Sequence, residues 1–315
     1  MYKKILSLCF VFIGIFLLSI SILGDFKLVT GIQEYDSSTP ITTDSGFNDT
    51  FCDNLKHIKS LNALNTYIQR EHDKKDKREL VFNIFEIVKN RFVHPYDGYL
   101  KHTLFTNYII YTMNILSEGR GLPLFFKHKT VNILFSFLLN QDIPDNWLMY
   151  TIRNSNRIMQ HTYGACDQIN QVLLDILIMN GFKVAILAVP EHTSSLVYLE
   201  DRWYIIDADR EVNSLFFQEC DIDTYLQNGE VEKLYTKHAI ETNPLVASMF
   251  DRYRKKDYFI FPYDGTWDVV DVYNNFEKKL EYIKYLLAIL FILLGLLLYP
   301  LKKNKNYVRN CRNIK

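Results

Sequence analysis

Apolar residues recur at two different periods along this chain. Between residues 61 and 163 the spacing is helical. Val81, Ile84, Phe85, Val88 and Phe92 follow an i, i+3, i+4, i+7, i+11 pattern on one helix face, opposite Lys77, Glu79, Glu86, Lys89 and Asn90. The apolar runs 104–116 and 131–139 read as buried helices, separated by Glu118-Gly-Arg-Gly-Leu-Pro123. After Cys166, the residues Ile169, Val172, Leu173 and Ile176 share one face and Leu174 and Ile178 another. That predicts a buried helix, which Gly181 closes as a C-cap. The period then shortens. Runs at 183–189, 194–199 and 203–206 are rich in β-branched and aromatic residues and predict strands, with Pro190 and Glu200-Asp201 between them. Periodicity over 212–271 is mixed, and 274–284 reads as a helix.

Two uncharged apolar runs stand at the ends, 20 residues at 5–24 and 17 at 285–301. As helices they would extend ~30 and ~25 Å, close to the hydrocarbon thickness of a bilayer. Tyr285 and Tyr299 bracket the second run as interfacial aromatics would. The plainer reading of the first run is a cleaved signal peptide. Its length and the poor cleavage site Ser-Ile-Leu-Gly favour a retained anchor.

Charge changes the picture further. The net charge is zero, yet all 36 acidic residues lie between Asp25 and Glu281 against 27 Lys and Arg, so the middle carries −9. Lys302, Lys303, Lys305, Arg309, Arg312 and Lys315 follow the second run with no acid among them. Positive-inside reasoning therefore expects both termini (1–4 and a basic tail at 302–315) in the cytoplasm and the middle outside. The expected order is a transmembrane helix at 5–24, a Ser/Thr/Asp/Gly-rich linker at 25–52 and an extracytoplasmic domain at 53–273. A juxtamembrane helix at 274–284 and a second span at 285–301 follow. The lack of a polybasic stripe in the middle argues against nucleic acid.

The chemistry concentrates around Cys166. It follows a Gly turn and opens a helix, where the positive end of the helix dipole favours a thiolate nucleophile. A thiolate attacking an amide needs a general acid for the leaving amine, and His192 stands just ahead of the strand 194–199. A hairpin centred on Glu200-Asp201 sets His192 opposite the 207–209 end. There Asp207 and Asp209 share a face, so geometry alone does not choose the orienting acid. Five cysteines are present: Cys9, Cys52, Cys166, Cys220 and Cys311. Cys52 and Cys220 could pair and leave Cys166 free; the plainer reading is three buried thiols. No CxxC, HxxxH or comparable cluster suggests a metal, and no Gly-rich phosphate loop or other cofactor motif is present.

The order Gly-x-Cys166, a helix closing in glycine, a strand, His192, a hairpin and Trp203-x-x-x-Asp207 resembles the transglutaminase-like, papain-related superfamily of thiol enzymes. The match covers about 50 residues. The resemblance implies an α+β fold whose Cys-bearing helix packs on an antiparallel sheet, with a helical N-terminal part. It also implies Cys166, His192 and Asp207 as nucleophile, base and orienting acid, the Trp203 spacing favouring Asp207 over Asp209. Gln160, six residues before the cysteine, stands where papain-like enzymes carry an oxyanion-hole glutamine, beside the Cys166 backbone N–H. The chain departs from the family at Thr193-Ser194-Ser195, where an aromatic is common, and at Ala208, where proline is frequent. The implied activity is cleavage or transfer at peptide or protein amide bonds, without a cofactor. The rival expectation is a silent binding or scaffold module of a cell envelope.

Overall fold

The computed structural model of the chain describes residues 2–30, 55–71, 76–93, 100, 103–117, 152, 154–190, 192–217, 219–235, 244–265 and 268–299. Its centre is an antiparallel sheet of strands β1 (Lys183–Val189), β2 (His192–Leu199), β3 (Arg202–Asp207), β4 (Val212–Asn213) and β5 (Phe259–Tyr263), in the order β4-β3-β2-β1-β5. The β2–β3 turn consists of Glu200 and Asp201 at φ 50° and 62°, the left-handed pair that a two-residue hairpin requires. Leu199 faces Arg202 and Ser195 faces Ile206 across it. Continued, that register sets Ser194 across from Asp207 and His192 across from Asp209. Strand β2 begins at His192, two residues earlier than its apolar pattern shows, so the histidine is part of the sheet.

Helices cover both faces of the sheet, which explains why the strand patterns are nearly continuous in burial instead of alternating. One layer holds α2 (Leu61–Glu71), α3 (Lys77–Arg91) and α6 (Cys166–Met179). Val81, Ile84, Phe85, Val88 and Phe92 are all buried there, as the periodicity predicts, together with Ile169, Val172, Leu173 and Ile176 of α6. Asp76 caps α3 by accepting from the Arg78 and Glu79 backbone N–H groups. Gly181 ends α6 at φ 80°. Its N–H reaches the Ile178 carbonyl and the Phe182 N–H that of Leu177, a Schellman closure. The opposite layer holds α7 (Ile222–Gln227), a 3₁₀ turn (Glu230–Leu234) and α8 (Pro244–Arg254), elements that mixed periodicity did not reveal.

Three further helices lie outside this sandwich: α1 (Tyr2–Thr30), α4 (Leu104–Ser117) and α9 (Asp268–Leu298). The short α5 (Ser155–Ile158) sits against α6 through Ser155, whose hydroxyl donates to Asp175 at 2.5 Å. α1 and α9 each contain a stretch long and apolar enough to cross a membrane, Tyr2–Asp25 and Glu277–Leu298. They pack antiparallel. The Ser7 hydroxyl donates to the Gly295 carbonyl at 2.6 Å, Gly14 abuts Ala288 and Ile292, and Asp25 meets Lys284 at the other end. A Cβ on Gly14 would come within 2.7 Å of the Ala288 carbonyl oxygen, so glycine sets the interhelical distance there. α1 runs on to Thr30, so residues 25–30 of the expected linker are helical; the rest of that linker, the 131–139 run, Cys52 and the basic tail lie outside the described residues. α4 breaks at Asn107 (φ −155°, ψ 98°), whose side-chain oxygen caps the continuation by accepting from the Ile109 and Ile110 N–H groups.

Candidate active site

Cys166 occupies the first position of α6, and its helix start is fixed by buried Gln168, three residues after the N-cap Ala165. The Gln168 side-chain oxygen accepts from the Ala165 N–H at 3.1 Å and the Leu100 N–H at 3.0 Å. Its amide donates to the Ile152 carbonyl at 2.8 Å. One turn further, Asn170 ties the same helix to the sheet. Its amide donates to the Thr193 carbonyl at 2.7 Å and to Asp207 Oδ1 at 3.0 Å, while its oxygen accepts from the Ala208 N–H at 3.2 Å. The helix start, the β2 start and the β3 end thereby meet at one end of the sheet.

His192 is buried at that junction, with 7% of its surface exposed. Its Nε2 lies 2.6 Å from Asp207 Oδ2. The Asp207 carboxylate also accepts from Ser194 Oγ at 2.9 Å, from Asn170, and from the Asp209 and Arg210 N–H groups at 3.2 Å. A carboxylate surrounded by donors is an acceptor toward the ring as well, so Nε2 carries the hydrogen. Nδ1 is then the nitrogen available to other groups, and it has no hydrogen-bond partner among the described residues. Asp209 Oδ2 lies 3.9 Å from it, too far for a hydrogen bond, and is paired with Arg210 Nε at 3.3 Å. One ring nitrogen of His192, the Cys166 sulfur and an Asp209 oxygen all lie within 4.8 Å of one another. Both aspartates thus flank the imidazole, Asp207 at 2.6 Å from Nε2 and Asp209 at 3.9 Å from Nδ1.

The thiol differs from expectation. A thiolate was expected at a helix start, but burial pushes the Cys166 thiol well above its ordinary range, and the Asp167 and Asp209 charges add to this. The Thr193 backbone N–H, hydrogen-bonded to the sulfur, and the Arg210 guanidinium pull the other way without prevailing. Arg210 is half-buried, and its pKa is raised because the attraction of Asp209 and Asp207 outweighs the cost of desolvation. Tyr253 joins the cluster through a hydrogen bond with Ser194, and burial and Asp207 raise its pKa.

Gln160, Trp203 and Cys220, also named as candidates, make contacts of their own. The Gln160 amide donates to the Lys59 carbonyl at 2.5 Å and the Asn156 carbonyl at 3.4 Å, which directs its hydrogens to those groups. Trp203 lies on the same face of β3 as Asp207 but packs edge-on to Tyr198 at 5.2 Å, under the Lys183 ammonium. His161 is buried against Tyr163, with its pKa lowered to about 4 by burial and by Arg91. Cys220 is half-buried, and the pairing proposed for it involves Cys52, outside the described residues. Sequence reasoning missed Gln168, Asn170, Ser194 and Arg210. Asn170 carried a readable signal, since it lies four residues after Cys166 on an apolar helix. A groove of about 620 Å³ begins at Glu211, beside Arg210, and runs between α3 and the β4 edge past Phe82, Phe216 and Phe217.

No protein-family model matches the chain, and no curated protein is significantly similar to it.

Proposed function

We propose that the chain is a membrane-anchored, transglutaminase-like cysteine enzyme that opens amide bonds of a peptide or protein through an acyl-thioester on Cys166. The observation that carries the reading is the clamped imidazole: Asp207 meets Nε2 at 2.6 Å, Nδ1 stands 3.9 Å from Asp209, and one ring nitrogen, the Cys166 sulfur and an Asp209 oxygen gather within 4.8 Å. In this reaction the Cys166 sulfur attacks the amide carbonyl while its proton passes to His192 Nδ1. The same proton moves to the leaving nitrogen as the C–N bond breaks, releasing an amine. Water then attacks the thioester, His192 again taking a proton, and the acid and the thiol are regenerated. Asp207 keeps the ring in one tautomer throughout, and the Cys166 N–H at the helix start faces the developing oxyanion.

The membrane part of the reading rests on two facts. Large apolar side chains such as Phe12 (72% exposed) and Leu297 (81%) face outward along α1 and α9, which suits lipid and not water. The antiparallel packing of these helices also returns both ends of the described chain to one side, as the charge pattern expects. The domain between them is extracytoplasmic in this reading.

A second reading, a silent binding module, is favoured by one observation: the candidate nucleophile is buried and its pKa is raised. Labelling with a peptidyl electrophile decides between the two. The enzyme reading expects Cys166 to be modified in the wild type and spared in His192→Ala, with equal modification of the two proteins once denatured. Absence of labelling in the folded wild type, or labelling indifferent to His192, supports the silent module.

A further inference from the structure

We propose that Cys166, His192 and Asp209 form a zinc site, and that its occupancy blocks the thiol chemistry. The binding rests on the geometry alone; only the blocking rests on the enzyme reading above. A thiolate, an imidazole and a carboxylate are a donor set that zinc takes readily. Around a tetrahedral ion such donors stand roughly 3.4 to 3.6 Å apart. Asp209 Oδ2 and His192 Nδ1 are already 3.9 Å apart, and the whole trio spans no more than 4.8 Å. Rearrangement by a fraction of an ångström to about one ångström closes it.

Three features make this more than a chance cluster. His192 is nine-tenths buried, and its Nδ1 lacks a hydrogen-bond partner among the described residues while facing Asp209. Nε2 on Asp207 is the arrangement that orients a metal-ligating histidine and raises its basicity. The Thr193 N–H at the sulfur supports a thiolate once its proton has gone. Charge argues in the same direction. Among the described residues, Asp167, Asp207, Asp209 and a deprotonated Cys166 outnumber the Arg210 guanidinium, and a dication offsets the excess. Binding displaces the thiol proton to solvent as the sulfur–zinc bond forms, so it strengthens with pH. Arg210 competes for the same Asp209 oxygen. With sulfur and Nδ1 both coordinated, neither nucleophile nor base remains.

The full chain in detergent, stripped with a chelator, is titrated with Co²⁺ as a spectroscopic stand-in. The expected result is the visible absorption of tetrahedral Co²⁺ with a thiolate charge-transfer band, both displaced by Zn²⁺. The charge-transfer band disappears in Cys166→Ser. Asp207→Asn weakens binding about 10- to 100-fold, and Arg210→Gln tightens it. Should Cys166→Ser fail to fold, the wild type alone suffices: Zn²⁺ slows alkylation of Cys166, read by peptide mass spectrometry. No spectral change in folded wild type, a charge-transfer band that survives in folded Cys166→Ser, or alkylation indifferent to Zn²⁺ overturns the site. Zn²⁺ that binds but activates overturns the block. Peptidyl labelling of the metal-free protein separates the two claims. Labelling without metal binding removes only the zinc site, and metal binding without labelling removes only the enzyme reading.

Discussion

Two buried nitrogen-bearing side chains, Lys284 at the base of the apolar helices and His192 at the end of the sheet, are treated differently by their surroundings. The Lys284 ammonium is fully buried and satisfies three acceptors: Asp25 at 2.8 Å, Glu281 at 2.8 Å and the Thr106 carbonyl at 3.1 Å. Glu281 in turn takes Arg157 at 2.7 Å and the Asn107 amide at 2.9 Å, while Tyr285 holds Asp25. This network links α1, α4, α5 and α9 and uses the whole hydrogen-bonding capacity of its lysine. Around His192, Nε2 is held by Asp207, itself the acceptor of five hydrogen bonds, while Nδ1 has no hydrogen-bond partner among the described residues and Asp209 stands 3.9 Å from it. Buried polar groups that satisfy one another hold elements together; a buried group held rigid with one position unused is poised to exchange a proton or take a ligand.

Substitutions can break this contrast, beginning with the largest effect. Cys166→Ala and His192→Ala should each abolish turnover of an amide substrate while circular dichroism stays native, because only a small buried group is lost in the first case. Asp207→Asn should lower kcat by orders of magnitude with little change in KM, since the ring loses its fixed tautomer. Lys284→Met should leave activity per folded molecule unchanged but destabilise the fold in a denaturation assay. The loss should be about 3 kcal/mol, the low end for a broken buried pair, because Asp25 retains some solvent contact.

Finer changes sharpen the contrast. Asp209 raises the Cys166 pKa and Arg210 lowers it. Asp209→Asn should therefore shift the onset of Cys166 alkylation to lower pH and Arg210→Gln to higher pH, measured as rate against pH. The smallest effect is expected at Gly181. Its φ of 80° strains any other residue, while a Cβ there meets nothing within 4 Å. Gly181→Ala should cost about 1 kcal/mol, read by chemical denaturation, with activity unchanged.

Much of this was legible in the sequence, for identifiable reasons. The α3 face, the α6 helix with its Gly181 closure and the β2–β3 turn follow from periodicity and turn chemistry, which act within a few residues. The hairpin register followed from the turn, and with it the meeting of His192 and the 207–209 segment. What escaped depends on distant partners. Gln168 anchors the Cys166 helix through Leu100 and Ile152, contacts that no local pattern announces. Burial and the Asp167 and Asp209 charges push the Cys166 thiol up, and the packing that buries it is set by distant segments. The ligand-like trio comes from three separate elements, so no short motif could reveal it.

The central claim, covalent chemistry at Cys166 driven by His192, is tested most directly by trapping the intermediate. An activated acyl donor of peptide type is mixed with the full chain, quenched in acid within the first turnover, and digested for mass spectrometry. The account predicts an acyl-thioester on the Cys166 peptide that disappears on longer incubation at neutral pH, is absent in Cys166→Ser and fails to accumulate in His192→Ala. A folded wild type that carries no acyl group on Cys166, or carries it equally without His192, would contradict it.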